Sequence, residues 1–313
     1  MLQAPIISGE GDKPSPIRLR ALSLGAGVQS TTMALLAAHG EIGPMPDCAI
    51  FADTGWEPKA VYDHLAWLMS PNVLPFPVHV VSAGNIRDQL VQAGEGRRWA
   101  SVPAFAKTVT PAGAEVPVFD ADDEGELIEV ATRRTTTETV SIGMIRRQCT
   151  SDFKIVPIRR KIRELAGLTR KRSPSFPVVE SWIGISTDEI VRAKPGFEAW
   201  QVKRFPLIEK RLSRRDCLAW LRRHGYPEPP KSACIGCPFH DNRRWRHMRD
   251  HDPEAWADAV EVDRALRNGL RGIRGEVFLH RTCVPLDEAD LSTAADRGQL
   301  DLWPNECEGM CGV

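Results

Sequence analysis

The stretch LSLGAGVQSTTM, residues 22–33, decides how the rest of the chain is read. An apolar run ends in two glycines separated by one small residue, and three hydroxyl residues follow as a helical pattern begins near Val28. Glycine lets backbone N–H groups come close to an anion, and a helix start offers unpaired N–H groups and the positive end of its dipole. The stretch is a candidate phosphate cradle. It lacks the Lys-Ser or Lys-Thr pair of a Walker loop, which argues against a kinase- or GTPase-like role, and Ser30 stands where a dinucleotide fingerprint has its third glycine. A tight strand-to-helix turn that holds no ligand is the bland alternative.

Working outward, IRLRALSL (17–24) alternates into a strand, and CAIFAD (48–53), FPVHVVS (76–82) and PVVESWIGIS (177–186) read as further strands. Helical patterns cover PKAVYDHLAWLM (58–69) and NIRDQLVQA (85–93). Strand alternating with helix predicts an α/β fold with a doubly wound, mostly parallel sheet over residues 17–210. Residues 1–16, rich in Gly, Pro and Ser, are expected to form a flexible arm. Residues 94–143 are polar and locally acidic and break the pattern, so they predict an insertion or flap with at most a short hairpin. CTSDFKIVPIRRKIREL (149–165) reads as a basic helix interrupted by Pro157. Residues 211–313 are expected to form a helical, cysteine-containing C-terminal region, with helices in RRDCLAWLRRHGY, HDNRRWRHMRDH and PEAWADAVEVDRALR.

The 313 residues carry 41 Lys plus Arg against 41 Asp plus Glu, so no global field draws the protein to nucleic acid or membrane. Basic residues do cluster locally, at Arg133, Arg134, Arg146, Arg147, Lys154, Arg159, Arg160 and Lys161 and again at Arg243, Arg244 and Arg246. Half of these are expected to be solvated helix faces. Arg146, Arg147 and Lys154 bracket Cys149 and are the stronger candidates for a nucleotide contact. Trp245 and Trp256 are expected in the core. With no long apolar run and no basic start followed by an apolar centre, the chain reads as cytoplasmic, with no membrane partner.

Eight cysteines in a reducing compartment point to metal ligands or redox thiols more than to disulfides. KSACIGCPFH (231–240) places Cys234 and Cys237 in a Cys-x-x-Cys turn that ends in Pro. Cys149, in the basic RRQCT segment, is a third candidate ligand, and Cys307 or Cys311 of the terminal NECEGMCGV a fourth. Such a set suits a [4Fe–4S] cluster or zinc, and His240, His247 and His251 keep a Cys/His zinc site open. Cys48 and Cys217 lie in apolar patterns and are expected in the core; Cys283 has no evident place.

The second strand ends in Asp53-Thr54-Gly55, at the edge where open α/β sheets bind ligands. SLGAGVQSTTM followed by FADTGWEPKAVYDHL resembles the PP-loop ATP pyrophosphatases, and within them the phosphoadenosine phosphosulfate (PAPS) reductase family. RRQCTSDFKIVPI (146–158) resembles that family's basic segment, and GISTDE (184–189) its nucleotide-contacting turn. The resemblance spans residues 18–240. It implies an adenine nucleotide, ATP with Mg²⁺, held by Ser23, Gly25, Ala26, Gly27, Val28, Gln29, Ser30 and Thr31 together with Asp53, Thr54, Gly184 and Arg147. It implies an iron–sulfur cluster on Cys149, Cys234, Cys237 and Cys307, and Lys154 with Cys307 or Cys311 as catalytic groups. Two departures stand out: the PP-loop consensus Ser-Gly-Gly-x-Asp-Ser appears as Gly25 to Ser30 without its leading Ser and its Asp, and Ser186 replaces an Arg common among the reductases. The implied activity is adenylation of a substrate, releasing pyrophosphate, for cluster-assisted sulfur transfer to a tRNA or DNA substrate from a sulfur donor protein. A sulfonucleotide reductase that releases sulfite is the rival, and a nucleotide-sensing or DNA-associated iron–sulfur protein without turnover is the non-enzymatic alternative.

Overall fold

The computed structural model describes residues 17–97, 102–121, 126–169, 172–293 and 295–298. The expected arm at 1–16 and the cysteines Cys307 and Cys311 lie outside them. In chain order the first elements are β1 (Leu19–Leu24), α1 (Val28–Ala38), β2 (Cys48–Asp53), α2 (Lys59–Leu68), β3 (Val78–Ser82) and α3 (Ile86–Gly94). Four strands follow: β4 (Phe105–Thr110), β5 (Glu115–Ala121), β6 (Leu127–Arg134) and β7 (Thr139–Met144). After a π-helical turn at Thr150–Ile155 come α4 (Val156–Leu165), β8 (Val179–Ile183), a 3₁₀ turn at Thr187–Arg192, β9 (Gln201–Arg204), α5 (Pro206–Glu209) and α6 (Arg214–Arg223). The last are α7 (Asn242–His251), α8 (Pro253–Leu266) and β10 (Glu276–Phe278). Among the described residues no helix is long and apolar enough to cross a membrane.

The chain divides into two compact units that interleave along the sequence. The first takes residues through Ala52, Lys59–Val81 and Val156–Ser232; the second takes Asp53–Pro58, Ser82–Ile155 and the residues from Ala233 on. This cuts across the expected boundary at 210, because α6 packs in the first unit while the segment from β4 to β7 joins the C-terminal helices in the second.

The first unit is built on a five-stranded sheet of order β3-β2-β1-β8-β9. β1 pairs in parallel with β2 and β8, with Leu19 opposite Val179, and β8 pairs in parallel with β9. Side chains alternate across a strand, so each strand feeds two cores. Leu22, Leu24, Ala49 and Phe51 pack with Met33, Leu35 and Leu36 of α1, Val61 and Leu65 of α2, and Trp220 and Leu221 of α6. Leu19, Ala21, Cys48 and Ile50 point the other way, against Ile162 of α4, Leu168 and Trp200. Helices therefore cover both faces, the arrangement that alternating β and α patterns predict. Cys48 and Cys217 are core residues, as expected, and burial pushes their thiols up to about 11 and about 12.

The second unit buries Leu90 of α3, Trp245 and Met248 of α7, Val262 and Leu266 of α8, Val277 of β10 and Phe153 in one cluster. Trp245 is thus a core residue, as expected. Asp263 on α8 is fully buried and accepts the N–H groups of Leu279 (2.7 Å) and Leu286 (3.1 Å) and a guanidinium bond from Arg267. Burial outweighs these donors and raises the carboxyl above its ordinary value.

One local expectation is corrected. Residues 105–144 form four strands, with β4 pairing antiparallel to β7 and β10, and β5 to β6. Every residue of β6 and β7 is exposed, so no buried face imprints an apolar alternation on the sequence. Pro157 stands inside a helical run over 149–165, as expected, and the interruption falls there: π-helical turns at Thr150–Ile155 give way to α4 one residue before the proline, which has no N–H to offer the preceding turn.

Candidate functional site

In the first unit, the turn between β1 and α1 carries its backbone strain at Ala26, whose φ of 53° is left-handed, and not at the flanking glycines. For a residue with a Cβ this costs ~1–2 kcal/mol, a strain that concentrates at functional turns. Ser30 Oγ accepts the Gly25 N–H at 3.1 Å and donates to the Gly27 carbonyl at 3.3 Å, closing the turn on itself. No side chain caps α1 and no carboxylate lies in its first turn, which leaves the positive helix end open to an anion. A Cβ added at Gly25 or Gly27 would lie 3.7 or 3.8 Å from its nearest neighbour, an ordinary contact. Nothing in the protein itself demands glycine at either place.

Gln29 is clamped. Its amide oxygen accepts from Arg214 at 3.2 Å, while its amide nitrogen lies 3.5 Å from Ser186 Oγ and 3.4 Å from Glu189 Oε2; Arg192 in turn holds Glu189 at 2.5 Å. A Cβ on Gly184 would come 3.1 Å from both N and Cα of Ser30, so the GISTDE segment lies directly against the glycine turn. The structure thus brings together Gly184, Gln29 and Ser30. Thr31 goes elsewhere: its fully buried hydroxyl lies 3.0 Å from His64 Nε2, turned into the core. Burial lowers His64 to about 4. Ser23 sits within β1, between Ile50 and Ile183 of its neighbours.

In the second unit, Asp53 accepts the Gly55 N–H at 2.8 Å, and Gly55 adopts φ +70° against Asn85, whose side chain bonds the Gly55 carbonyl at 3.0 Å. Glycine is required there. The buried Thr54 hydroxyl lies 3.4 Å from Glu57 Oε1 and 3.3 Å from Cys234 Sγ, and Lys154 Nζ lies 3.6 Å from the same Glu57 oxygen. Burial first, then the charges of Glu57 and Cys149, pushes the Cys234 thiol up to about 12, against the opposing pull of Lys154 and Thr54.

The Cys-x-x-Cys turn is held from both ends. Cys237 N–H donates to the Cys234 carbonyl at 3.1 Å, Ile235 N–H to the Trp56 carbonyl at 2.8 Å, and His240 Nε2 lies 2.9 Å from the Cys234 carbonyl. A Cβ on Gly236 would stand 2.1 Å from the Trp56 ring, whose N–H is pinned by Asp258 at 2.5 Å. Arg147 bonds Thr150 at 2.9 Å and lies 5.2 Å over the Phe239 ring. Cys149 and Cys234 pack against the same apolar cluster. Asp53, Thr54, Arg147, Lys154 and the three cysteines therefore all belong to the second unit, while residues 23–31 and Gly184 belong to the first. Elsewhere carboxylates partner much of the basic density: Arg134 meets Glu115, Arg159 meets Glu198, Lys161 meets Glu164 and Arg246 meets Asp296.

Sequence reasoning missed Glu57, which stands within the quoted FADTGWEPKAVYDHL between Trp56 and Pro58 and is buried against Thr54 and Lys154. It also missed the Gln29 clamp, because Arg214 is 185 residues away in sequence.

No protein-family model matches this sequence, and no curated protein matches it. Among solved structures, the chain is similar to phosphoadenylyl-sulfate (PAPS) reductase from Candida auris in its phosphate complex, at 11% identity and a TM-score of 0.38 over 67% of this chain and 74% of that one. A likeness of that size carries no chemistry with it.

Proposed function

We propose that this protein is a PP-loop, PAPS-reductase-like nucleotide enzyme that binds ATP with its phosphates on the 25–30 turn. One observation carries the reading: α1 begins uncapped behind a strained turn whose glycines no protein atom requires, so a ligand is the reason for their small size. Backbone N–H groups there would stabilise the charge that grows on the α-phosphate. A substrate oxygen attacks that phosphorus, the bond to the bridging oxygen breaks, and pyrophosphate leaves with the electron pair. A sulfur nucleophile delivered by a donor protein then displaces AMP, on a tRNA or DNA substrate. Gln29, locked by Arg214, Ser186 and Glu189, fixes the helix start. Thr31 has no part in it.

The donor chemistry of the second unit suits an iron–sulfur group: Cys149 and Cys234 pack against one apolar cluster, Cys237 closes the same turn as Cys234, and Lys154 stands by to offset thiolate charge. His240 is turned to a backbone carbonyl. Cys149, Cys234 and Cys237 would hold the group, with Cys307 as the fourth ligand, and bound there it would supply a site for sulfur or electrons. Lys154 offsets the negative charge of Glu57 and would offset that of the cysteine thiolates once the group is bound.

Calorimetry with ATP and with PAPS on Gly27→Val tests the cradle. The reading expects lost nucleotide binding in a protein of unchanged circular dichroism; unchanged affinity for both would overturn it. Product assays on the wild type then choose the reaction: pyrophosphate and AMP from ATP support adenylation, and sulfite from PAPS supports the reductase. Iron and labile sulfide analysis after anaerobic purification tests the cluster, and stoichiometric zinc without sulfide would remove it.

A further inference from the structure

Outside both regions, His39, Glu41 and His224 each place one ligand atom within 4.8 Å of the other two, and among the described residues no other group of three such side chains does so. All three belong to the first unit. Two helix ends bring them together: His39 terminates α1 and His224 terminates α6. Helix C-termini present carbonyls and the negative end of the dipole, which favours a cation.

Each member of the group is also held by a side-chain hydrogen bond. His224 Nδ1 lies 2.9 Å from the Trp220 carbonyl, which can only accept, so that nitrogen carries the proton and Nε2 keeps its lone pair. His39 Nε2 lies 2.8 Å from the Tyr226 hydroxyl; donating there leaves Nδ1 as the lone-pair atom. Glu41 accepts the Trp220 indole N–H, at 3.1 and 3.4 Å to its two oxygens. Trp220 further stacks on His224 at 4.0 Å and meets His39 edge-on at 5.4 Å. Ring packing alone would need none of these three hydrogen bonds. Metal-binding histidines make such bonds routinely, because they fix the tautomer and aim the free nitrogen.

We propose that His39, Glu41 and His224 form a site for a divalent transition-metal ion of the zinc class, with water completing the coordination. Two imidazoles and one carboxylate suit Zn²⁺, and disfavour Mg²⁺ and Ca²⁺, which take oxygen. The ion joins the C-terminal ends of α1 and α6.

Zinc binding to the full chain by equilibrium dialysis at pH 7.5 tests this. Wild type binds one equivalent more than a His39→Ala/His224→Ala variant. In Co²⁺-loaded protein that extra equivalent adds weak visible bands and no thiolate charge-transfer absorption, which separates it from any metal on the cysteines. Tyr226→Phe keeps the equivalent and weakens it about 10- to 100-fold, the effect of losing an orienting partner. Glu41→Gln, whose amide oxygen still accepts from Trp220, provides a folded variant with weakened binding should the double variant unfold. Equal zinc stoichiometry in wild type and a folded double variant overturns the proposal. So does an extra equivalent whose affinity neither Glu41→Gln nor Tyr226→Phe changes, since that is adventitious surface binding.

Discussion

Acid is expected to destabilise the first unit through His64. The imidazole is buried on α2, 3.0 Å from the Thr31 hydroxyl and with its ring centre 5.1 Å from that of Trp67, and burial lowers its pKa from the ordinary 6.5 to about 4. Unfolding restores the ordinary value. Between the two the unfolded chain takes up a proton that the folded one refuses, so the contribution is complete above about pH 6.5 and is lost as pH falls toward 4. At ~1.4 kcal/mol per pH unit the gap is worth about 3 kcal/mol in all, of which about 2 kcal/mol is gone by pH 5. Urea unfolding of wild type and His64→Gln at pH 7.5 and pH 5 isolates the effect, because glutamine does not titrate. Wild type should lose about 2 kcal/mol more than the variant over that interval. Parallel losses in the two proteins would refute the reasoning, as would an NMR titration of His64 with a midpoint near 6.5.

Three further outcomes follow from close contacts. Gly184→Ala drives a Cβ to 3.1 Å from the Ser30 backbone and should cost roughly 1–3 kcal/mol in thermal unfolding and weaken ATP binding, whereas Gly143→Ala, with nothing within 4 Å, should leave ATP binding unchanged. Gly236→Ala collides with a Trp56 ring that Asp258 holds in place, so the Cys-x-x-Cys turn must shift; iron content after reconstitution should fall sharply while circular dichroism persists. Asp263→Ala leaves the N–H groups of Leu279 and Leu286 and the Arg267 guanidinium without their acceptor, and should cost roughly 3–5 kcal/mol in chemical denaturation.

The parallel sheet was legible because both of its faces are buried. β1 reads as an alternating strand and β2 as a near-continuous apolar run, CAIFAD marks β2 to the residue, and α1 begins at Val28 as the glycine turn suggests. The exposed strands β6 and β7 left no such trace, whereas Pro157 marked the place where π-helical turns change to α4 within the run 149–165. At the glycine turn the local motif located the strand-to-helix turn but not its strained residue: Ala26 takes the left-handed conformation while its neighbours, the residues best suited to it, do not. The cysteine turn was found by spacing, but its surroundings were not. Thr54 and Cys234 are 180 residues apart, and His39 and Tyr226 are 187 apart. Pairings at such separations are set by topology, which no local pattern encodes.

The interleaving of the two units has a consequence for how the protein is made. The chain passes from one unit to the other five times, after Ala52, Pro58, Val81, Ile155 and Ser232. A ribosome that has released residues only as far as Ile155 has delivered β1, β2 and β3 but not β8, the strand that pairs along the other side of β1. Until then the middle strand of the finished sheet is an open edge of unpaired N–H and C=O groups flanked by leucines, the kind of surface on which nascent chains associate. No single cut yields either unit whole, so fragments expressed separately should aggregate at this edge.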